Sequence, residues 1–115
     1  MSPDAAPPQS PPAGVRHRVP MHPGVFLERH YLKPLALTQS EAARRLGVSR
    51  RRVHELVHGQ RAMSVDTALR CAQQFAMPAA EWLAMQSEWD AWCAWRVMRQ
   101  QLNPRADAVD GADPH

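Results

Sequence analysis

Residues 37–59 read LTQSEAARRLGVSRRRVHELVHG, and the order of caps, small residues and arginines in this stretch decides the fold. Thr38, followed three positions later by Glu41, forms a capping box: the threonine hydroxyl accepts from the third helical residue and the glutamate reaches back to the cap. Gly47 ends that helix, because the left-handed residue that closes a helix is least strained without a Cβ. Ser49 caps a second helix, expected to run to Gly59. On a wheel of about 100° per residue, Ala42, Ala43 and Leu46 face inward on the first helix. Val53 and Leu56 do so on the second, with Val48 in the turn, whereas Arg51, His54, Glu55 and His58 point the opposite way. Small alanines at a helix crossing, a glycine in a short turn and a polar outer face on the second helix together describe a helix-turn-helix.

Outward from this core the pattern stays helical, and no segment alternates in the manner of a strand. A helix from Pro23 to about Tyr31 starts on a proline suited to the first turn and is ended by Lys33-Pro34. Ser64 caps another, which carries Asp66 in its first turn and closes near Phe75, with Leu69, Cys71, Ala72 and Phe75 on its inner side. Pro78 opens the longest, PAAEWLAMQSEWDAWCAWRVMRQQL, reaching Leu102. His22 reads as a cap and His30 as a surface residue. The expectation is an all-α fold of five helices over residues 21–102. It is preceded by a disordered Pro-rich arm, 1–20, holding six of the eleven prolines, and followed by a flexible polar tail, 103–115.

Composition narrows the function classes. A chain of 115 residues supplies one small core rather than a two-lobed enzyme. The formal charge of +3 is carried almost wholly by arginine, Lys33 being the only lysine, which suits a polyanionic partner. Cys71 and Cys93 are far apart and outside any metal-ligand spacing, so free thiols in the cytoplasm are expected. No run reaches the roughly 18 apolar residues of a membrane span.

His54 to His58 spells HELVH, the letters of a zinc-protease helix. Such a site needs a third ligand and a place where a cation is not repelled. Arg50, Arg51 and Arg52 lie within about one turn of His54, where the Debye length of roughly 8–10 Å leaves their charge unscreened, and Gly59 ends the helix directly after His58. The stretch therefore reads as a DNA-facing helix, with no metal, no cofactor and no catalytic residue expected.

The same residues resemble the DNA-binding core of the lambda-repressor-like family, also called XRE or Cro/C1-type. Counting from Gln39, the family's small residue falls on Ala43, its turn glycine on Gly47, and its apolar positions on Ala42, Leu46, Val48, Val53 and Leu56. A wider likeness runs through MHPGVFLERHYLKPLALTQSEAARRLGVS, GQRAMSVDTALRCAQQF and EWLAMQSEWDAW, which is similar to the HigA-type antitoxins of toxin–antitoxin modules. The resemblance implies a five-helix lambda-repressor-like domain with an extended C-terminal helix. It also implies a double-stranded DNA operator, a homodimer and a HigB-type, mRNA-cleaving toxin as partners. The alternative is a stand-alone XRE-family regulator without a toxin.

Roles follow from position. Arg50 and Arg51, at the N-terminal end of the second helix, are candidates for bidentate contact with guanine. His54 and Glu55 lie one turn further on, Glu55 as an acceptor from cytosine. Gln39, where family members touch a phosphate, and Ser49 are expected to fix register on the backbone. Arg44, Arg45, Arg52 and Arg61 are further phosphate candidates, with a plain solvated role as the alternative for the first three. The last helix carries all four tryptophans. Trp82, Met85, Trp89 and Trp92 share a face that Trp95 leaves, and one small core cannot use four indoles. Trp89, Trp92 and Trp95 are therefore expected at an interface, with a second copy or with a toxin.

Overall fold

The computed structural model describes residues 10–16 and 18–102. The start of the expected arm and the tail from 103 lie outside the described residues. The elements are α1 (Pro23–Leu27), continued by a π-helical turn (Glu28–Leu32), then α2 (Gln39–Leu46), α3 (Arg50–Val57), α4 (Val65–Gln74) and α5 (Ala79–Leu102). Among the described residues there is no strand.

Each start follows from a side chain that satisfies an otherwise orphaned backbone N–H. His22 Nδ1 accepts from Gly24 N at 2.9 Å, and Pro23 follows it at the first helical position. Both arms of the capping box form: Glu41 N donates to Thr38 Oγ1 at 3.1 Å and Thr38 N to Glu41 Oε1 at 2.8 Å. Ser49 and Ser64 accept from Arg52 N and Thr67 N at 3.0 and 3.1 Å. The ends are equally specific. Gly47, at φ 72°, lets Val48 N reach Ala43 O, and Gly59, at φ 69°, lets Gln60 N reach Glu55 O. Both are six-to-one closures around a left-handed glycine. For this reason α3 stops at Val57, two residues before the end expected from sequence, with His58 as its cap.

The first helix also differs from expectation. Its second half widens to i→i+5 bonds, with Lys33 N donating to Glu28 O at 2.9 Å. Pro34 has no N–H with which to continue an ordinary ladder. The wider turn places Leu27 and Leu32, five residues apart, both in the core. They join Ala42, Leu46, Val53, Leu56, Met63, Ala68, Cys71, Phe75 and Trp82 in one cluster. Leu69 does not belong to it: α4 buries the stripe Thr67, Ala68 and Cys71, and Leu69 lies on the solvent side of that stripe, 55% exposed.

Two contacts set the relative placement of helices. At Gly24, α1 meets α3 backbone to backbone, so that a Cβ there would fall within 3.0 Å of the carbonyl carbon and oxygen of Leu56. Buried Gln86 of α5 accepts from Met63 N at 2.7 Å and donates to Asp90 at 2.8 Å, which fixes the α3–α4 loop against the long helix. The segment before α1 is tied to α5 as well, through Arg16–Glu88 at 3.2 Å, and its Pro20 is buried.

Gly24→Ala tests the first contact. Helix propensity alone favours alanine by about 1 kcal/mol, whereas the clash with a rigid backbone costs about 3 kcal/mol or more, so the substitution destabilises. Urea unfolding is expected to show a lowered midpoint at an unchanged slope. Stability equal to the parent would show that the helices do not meet this closely.

His22 gives a pH prediction. Burial holds its pKa below the usual histidine value, against the opposing pull of Asp90 and of the Arg61 carbonyl to which the ring donates. A base whose pKa is depressed on folding stabilises the fold above its unfolded pKa of about 6.5 and loses that contribution as pH falls through and below it. The melting temperature is expected to fall between pH 7.5 and 5.5, and the fall to be smaller in His22→Asn, which keeps a capping acceptor. An identical pH profile in the variant would contradict the assignment.

Candidate nucleic-acid interface

The outer face of α3 is built by default: Val53, Leu56 and Val57 turn into the core, and the remaining positions must face out. Arg50 and Arg51 stand at its N-terminal end, both exposed, with His54 one turn on and His58 at its close. The Arg50 side chain makes no hydrogen bond or ion pair among the described residues. Gln39, the first residue of α2, reaches the middle of α3, its Oε1 lying 3.2 Å from His54 Nδ1. The start of α2 and the outer face of α3 thus form one continuous polar surface. Arg44 and Arg45 extend it from the exposed side of α2. Both assist the Thr38 N–H and hydroxyl in holding the Glu41 carboxyl below its ordinary pKa.

The two histidines of HELVH lie with ring centroids 4.3 Å apart, and His58 Nδ1 donates to the His54 carbonyl at 2.7 Å. Glu55 is not set beside them as a free base. Arg51 Nε donates to its Oε2 at 2.9 Å, and Arg61 donates to its Oε1 from Nε at 3.0 Å and from a terminal nitrogen at 2.8 Å. Arg51 first and Arg61 second hold its carboxyl below the usual carboxylate range. Among the described residues no group of three or more His, Cys, Asp or Glu side chains is gathered closely enough to hold a metal ion.

The sequence reading placed Arg52 beside Arg44 and Arg45 as a backbone-contact candidate. Its guanidinium donates to Asp66 at 3.0 Å and to Thr67 Oγ1 at 3.5 Å, so it fastens α3 to the start of α4. Asp66 also takes Arg70 at 2.9 Å, and these two arginines, Arg70 before Arg52, lower its pKa. Arg70 Nη1 goes on to the carbonyls of Leu46 and Gly47, each at 3.1 Å, and so satisfies the end of α2. Arg70 is not among the residues expected from sequence. Its signal was present, an aspartate four residues ahead on the same helix, but the turn it caps lies 23 residues away in the chain. Arg61, grouped with the phosphate candidates, is committed to Glu55 instead of standing alone.

The tryptophans divide. Trp82 is wholly buried, donates Nε1–H to Met77 O at 3.2 Å, and packs on Phe26 and Tyr31 at ring distances of 5.8 and 5.7 Å. Trp89 is half-buried and meets His22 edge-on at 5.4 Å. Trp92 lies 5.9 Å from Trp89 and is covered by the Arg96 guanidinium at 5.0 Å. Trp95 is half-buried further along, where Val97, Met98 and Leu102 are exposed. Cys71 is enclosed in the core, and burial pushes its thiol up to about 12. No helix among the described residues is long and apolar enough to cross a membrane.

Comparison with known proteins places this geometry. A helix-turn-helix family profile matches residues 29–82. Virulence-associated protein I of Dichelobacter nodosus is 42% identical over 79 residues, which make up 69% of this chain and 73% of that protein. The Escherichia coli K12 protein described as an uncharacterised HTH-type transcriptional regulator, YbaQ, is 36% identical over 84 residues, 73% of this chain and 74% of the relative. Among solved structures, the Pseudomonas aeruginosa antitoxin HigA, determined with the higBA promoter, superposes with a TM-score of 0.69 at 31% identity over 75% of this chain and 94% of its own. The chain belongs to the XRE-type helix-turn-helix family and has the fold of the HigA antitoxins.

Proposed function

We propose that the protein is a sequence-specific DNA-binding antitoxin of the cytoplasm, which represses its own operon as a homodimer and neutralises an mRNA-cleaving HigB-type toxin. The observation that carries the DNA-binding half is the exposed N-terminal end of α3, with Arg50 unengaged and Arg51 held by its Nε alone. Guanidinium donors at this end of a recognition helix match the O6 and N7 acceptors of guanine in the major groove. Gln39 and Ser49, at the starts of α2 and α3, are the backbone-positioning residues, and Arg44 and Arg45 flank them toward the phosphates. His54 is the next residue toward the bases. The likeness to a HigA solved with promoter DNA supports this reading.

The partner-binding half rests on α5. Trp92, Trp95, Val97, Met98 and Leu102 leave the last turns of α5 with apolar surface that the described domain does not cover. Trp89 belongs to the edge of this surface. Tryptophan anchors of this kind dominate binding energy where two proteins meet. The N-terminal segment is the weaker docking element, because it offers only Val15 and Val19 as apolar anchors and has none of the tryptophans that dominate hot spots. A second reading, a transcriptional regulator without a toxin, is favoured by the identity to YbaQ.

Selection from a randomised duplex pool tests the DNA reading. The purified protein is expected to select two half-sites roughly 34 Å apart, one helical turn, as a two-fold dimer requires. Arg50→Ala and Arg51→Ala are each expected to lose about 1–3 kcal/mol on that duplex and to relax discrimination at one base pair, while Arg45→Ala weakens all sequences alike. Fluorescence anisotropy decides, and parent-like affinity in both the Arg50 and Arg51 variants would remove α3 from the groove.

Sedimentation and co-expression with a neighbouring small gene test the partner reading. Trp92→Ala and Trp95→Ala are expected to weaken self-association or toxin neutralisation with helical content unchanged, and removal of residues 1–18 to leave neutralisation near the parent level. Growth rescue by the tryptophan variants but not by the truncated chain would move the toxin contact to the N-terminal segment. A parent chain that binds DNA but rescues no toxin would favour the stand-alone regulator.

A further inference from the structure

Glu55 sits on the outer face of the recognition helix, where a carboxylate opposes the approach of phosphates, and its two oxygens are taken by two arginines. Arg51 uses only its Nε–H, toward Glu55 Oε2 at 2.9 Å. A guanidinium has five N–H donors, so the four on its two terminal nitrogens remain. Those two nitrogens form the end of the fork that can span O6 and N7 of one guanine. Arg61 closes on the other oxygen from the loop after α3, at 3.0 and 2.8 Å. Glu55 is therefore held from two sides, its side chain 23% exposed while that of Arg51 is 84% exposed.

We propose that Glu55 is the positioning residue of base reading: it does not contact DNA but fixes the Arg51 guanidinium so that the two terminal nitrogens present a preset pair of donors to the groove. The inference rests on the operator-binding reading above. Such an exposed i,i+4 pair contributes almost nothing to fold stability. Its effect is on docking, because an arginine already held in one rotamer loses less freedom when it meets its base. The arrangement also changes charge. One carboxylate shared by two guanidiniums leaves the trio a net single positive charge, which reduces indiscriminate attraction to phosphates while keeping the reading edge free. Glu55 thus acts on the ratio of specific to non-specific binding rather than on affinity as a whole.

The test measures the parent, Arg51→Ala, Glu55→Ala, Glu55→Gln and the Arg51→Ala/Glu55→Ala double variant by anisotropy. Two probes are used, the tightest duplex selected from a randomised pool and a scrambled duplex of equal length. Circular dichroism checks that each variant keeps its helices. The inference expects Glu55→Ala to bind the selected duplex roughly tenfold more weakly, a fraction of one bidentate contact, and the scrambled duplex more tightly. Discrimination is to be lost at the same base pair as in Arg51→Ala, and the double variant is to discriminate no worse than Arg51→Ala alone. Glu55→Gln keeps an acceptor for Nε–H and is expected to recover part of the loss. Loss of discrimination at a different base pair, with multiplying effects, would make Glu55 a base contact and overturn the proposal. So would intact discrimination in Glu55→Ala, which would reduce its role to charge. A parent chain that selects no duplex sinks the operator reading itself, and this inference with it.

Discussion

The meeting of α1 and α3 at Gly24 is the constraint on which the rest of the architecture depends. Because nothing but a hydrogen stands between the two backbones, the inner face of α3 is pressed against α1. Val53 and Leu56 are then wholly buried in the core. A helix only eight residues long is marginal alone in water, so α3 is helical because its apolar stripe is held from behind. Holding it from behind is also what leaves its opposite face outward. His22 belongs to the same constraint: it caps α1, donates to the loop after α3 and meets Trp89 of α5, so three elements converge on one neutral ring.

The second layer of definition is electrostatic, and it works at helix ends rather than in the core. Asp66 takes Arg52 from α3 and Arg70 from its own helix, and Arg70 then closes the last carbonyls of α2. All three helices that frame the turn are thereby linked through one carboxylate. Each of these exposed pairs is weak alone, but as a connected set they restrict the angle between α2 and α3. That angle decides whether Gln39 and Arg50 lie on one surface. The arginines around the turn consequently divide by partner: Arg52, Arg61 and Arg70 are engaged by the protein, Arg51 is engaged through its Nε only, and Arg44, Arg45 and Arg50 face outward.

Much of this was legible in the sequence because the signals are local. Thr38 with Glu41, Ser49, Ser64 and Gly47 each encode a cap within four residues, and all took the geometry their chemistry dictates. The alanines and Val53 and Leu56 gave the buried face of the helix-turn-helix by periodicity alone. What was not legible depends on residues distant in the chain. The π-helical turn serves to bury Leu32 alongside Leu27, and no local pattern announces it. Leu69 looked like core from its type, whereas the space beside Cys71 was filled by Thr67 and Ala68. The clasp on Glu55 was legible only in part, since Arg51 lies four residues ahead on the same helix whereas Arg61, its second partner, follows a break in the helix. Residues 1–20 read as an arm too poor in apolar side chains to order, and in its described part Arg16 pairs with Glu88, 72 residues away.

On the proposed function, the starts of α2 and α3 enter the major groove as a single surface. The most direct measurement is an NMR titration of the full chain with the duplex it selects, following backbone amides. The account predicts the largest shifts at Gln39 and from Ser49 to His54, with α5 from Trp89 onward unchanged when the dimer is already formed. Shifts concentrated on α5 or on the segment before Pro20, with the amides of Arg50 and Arg51 unmoved, would contradict it.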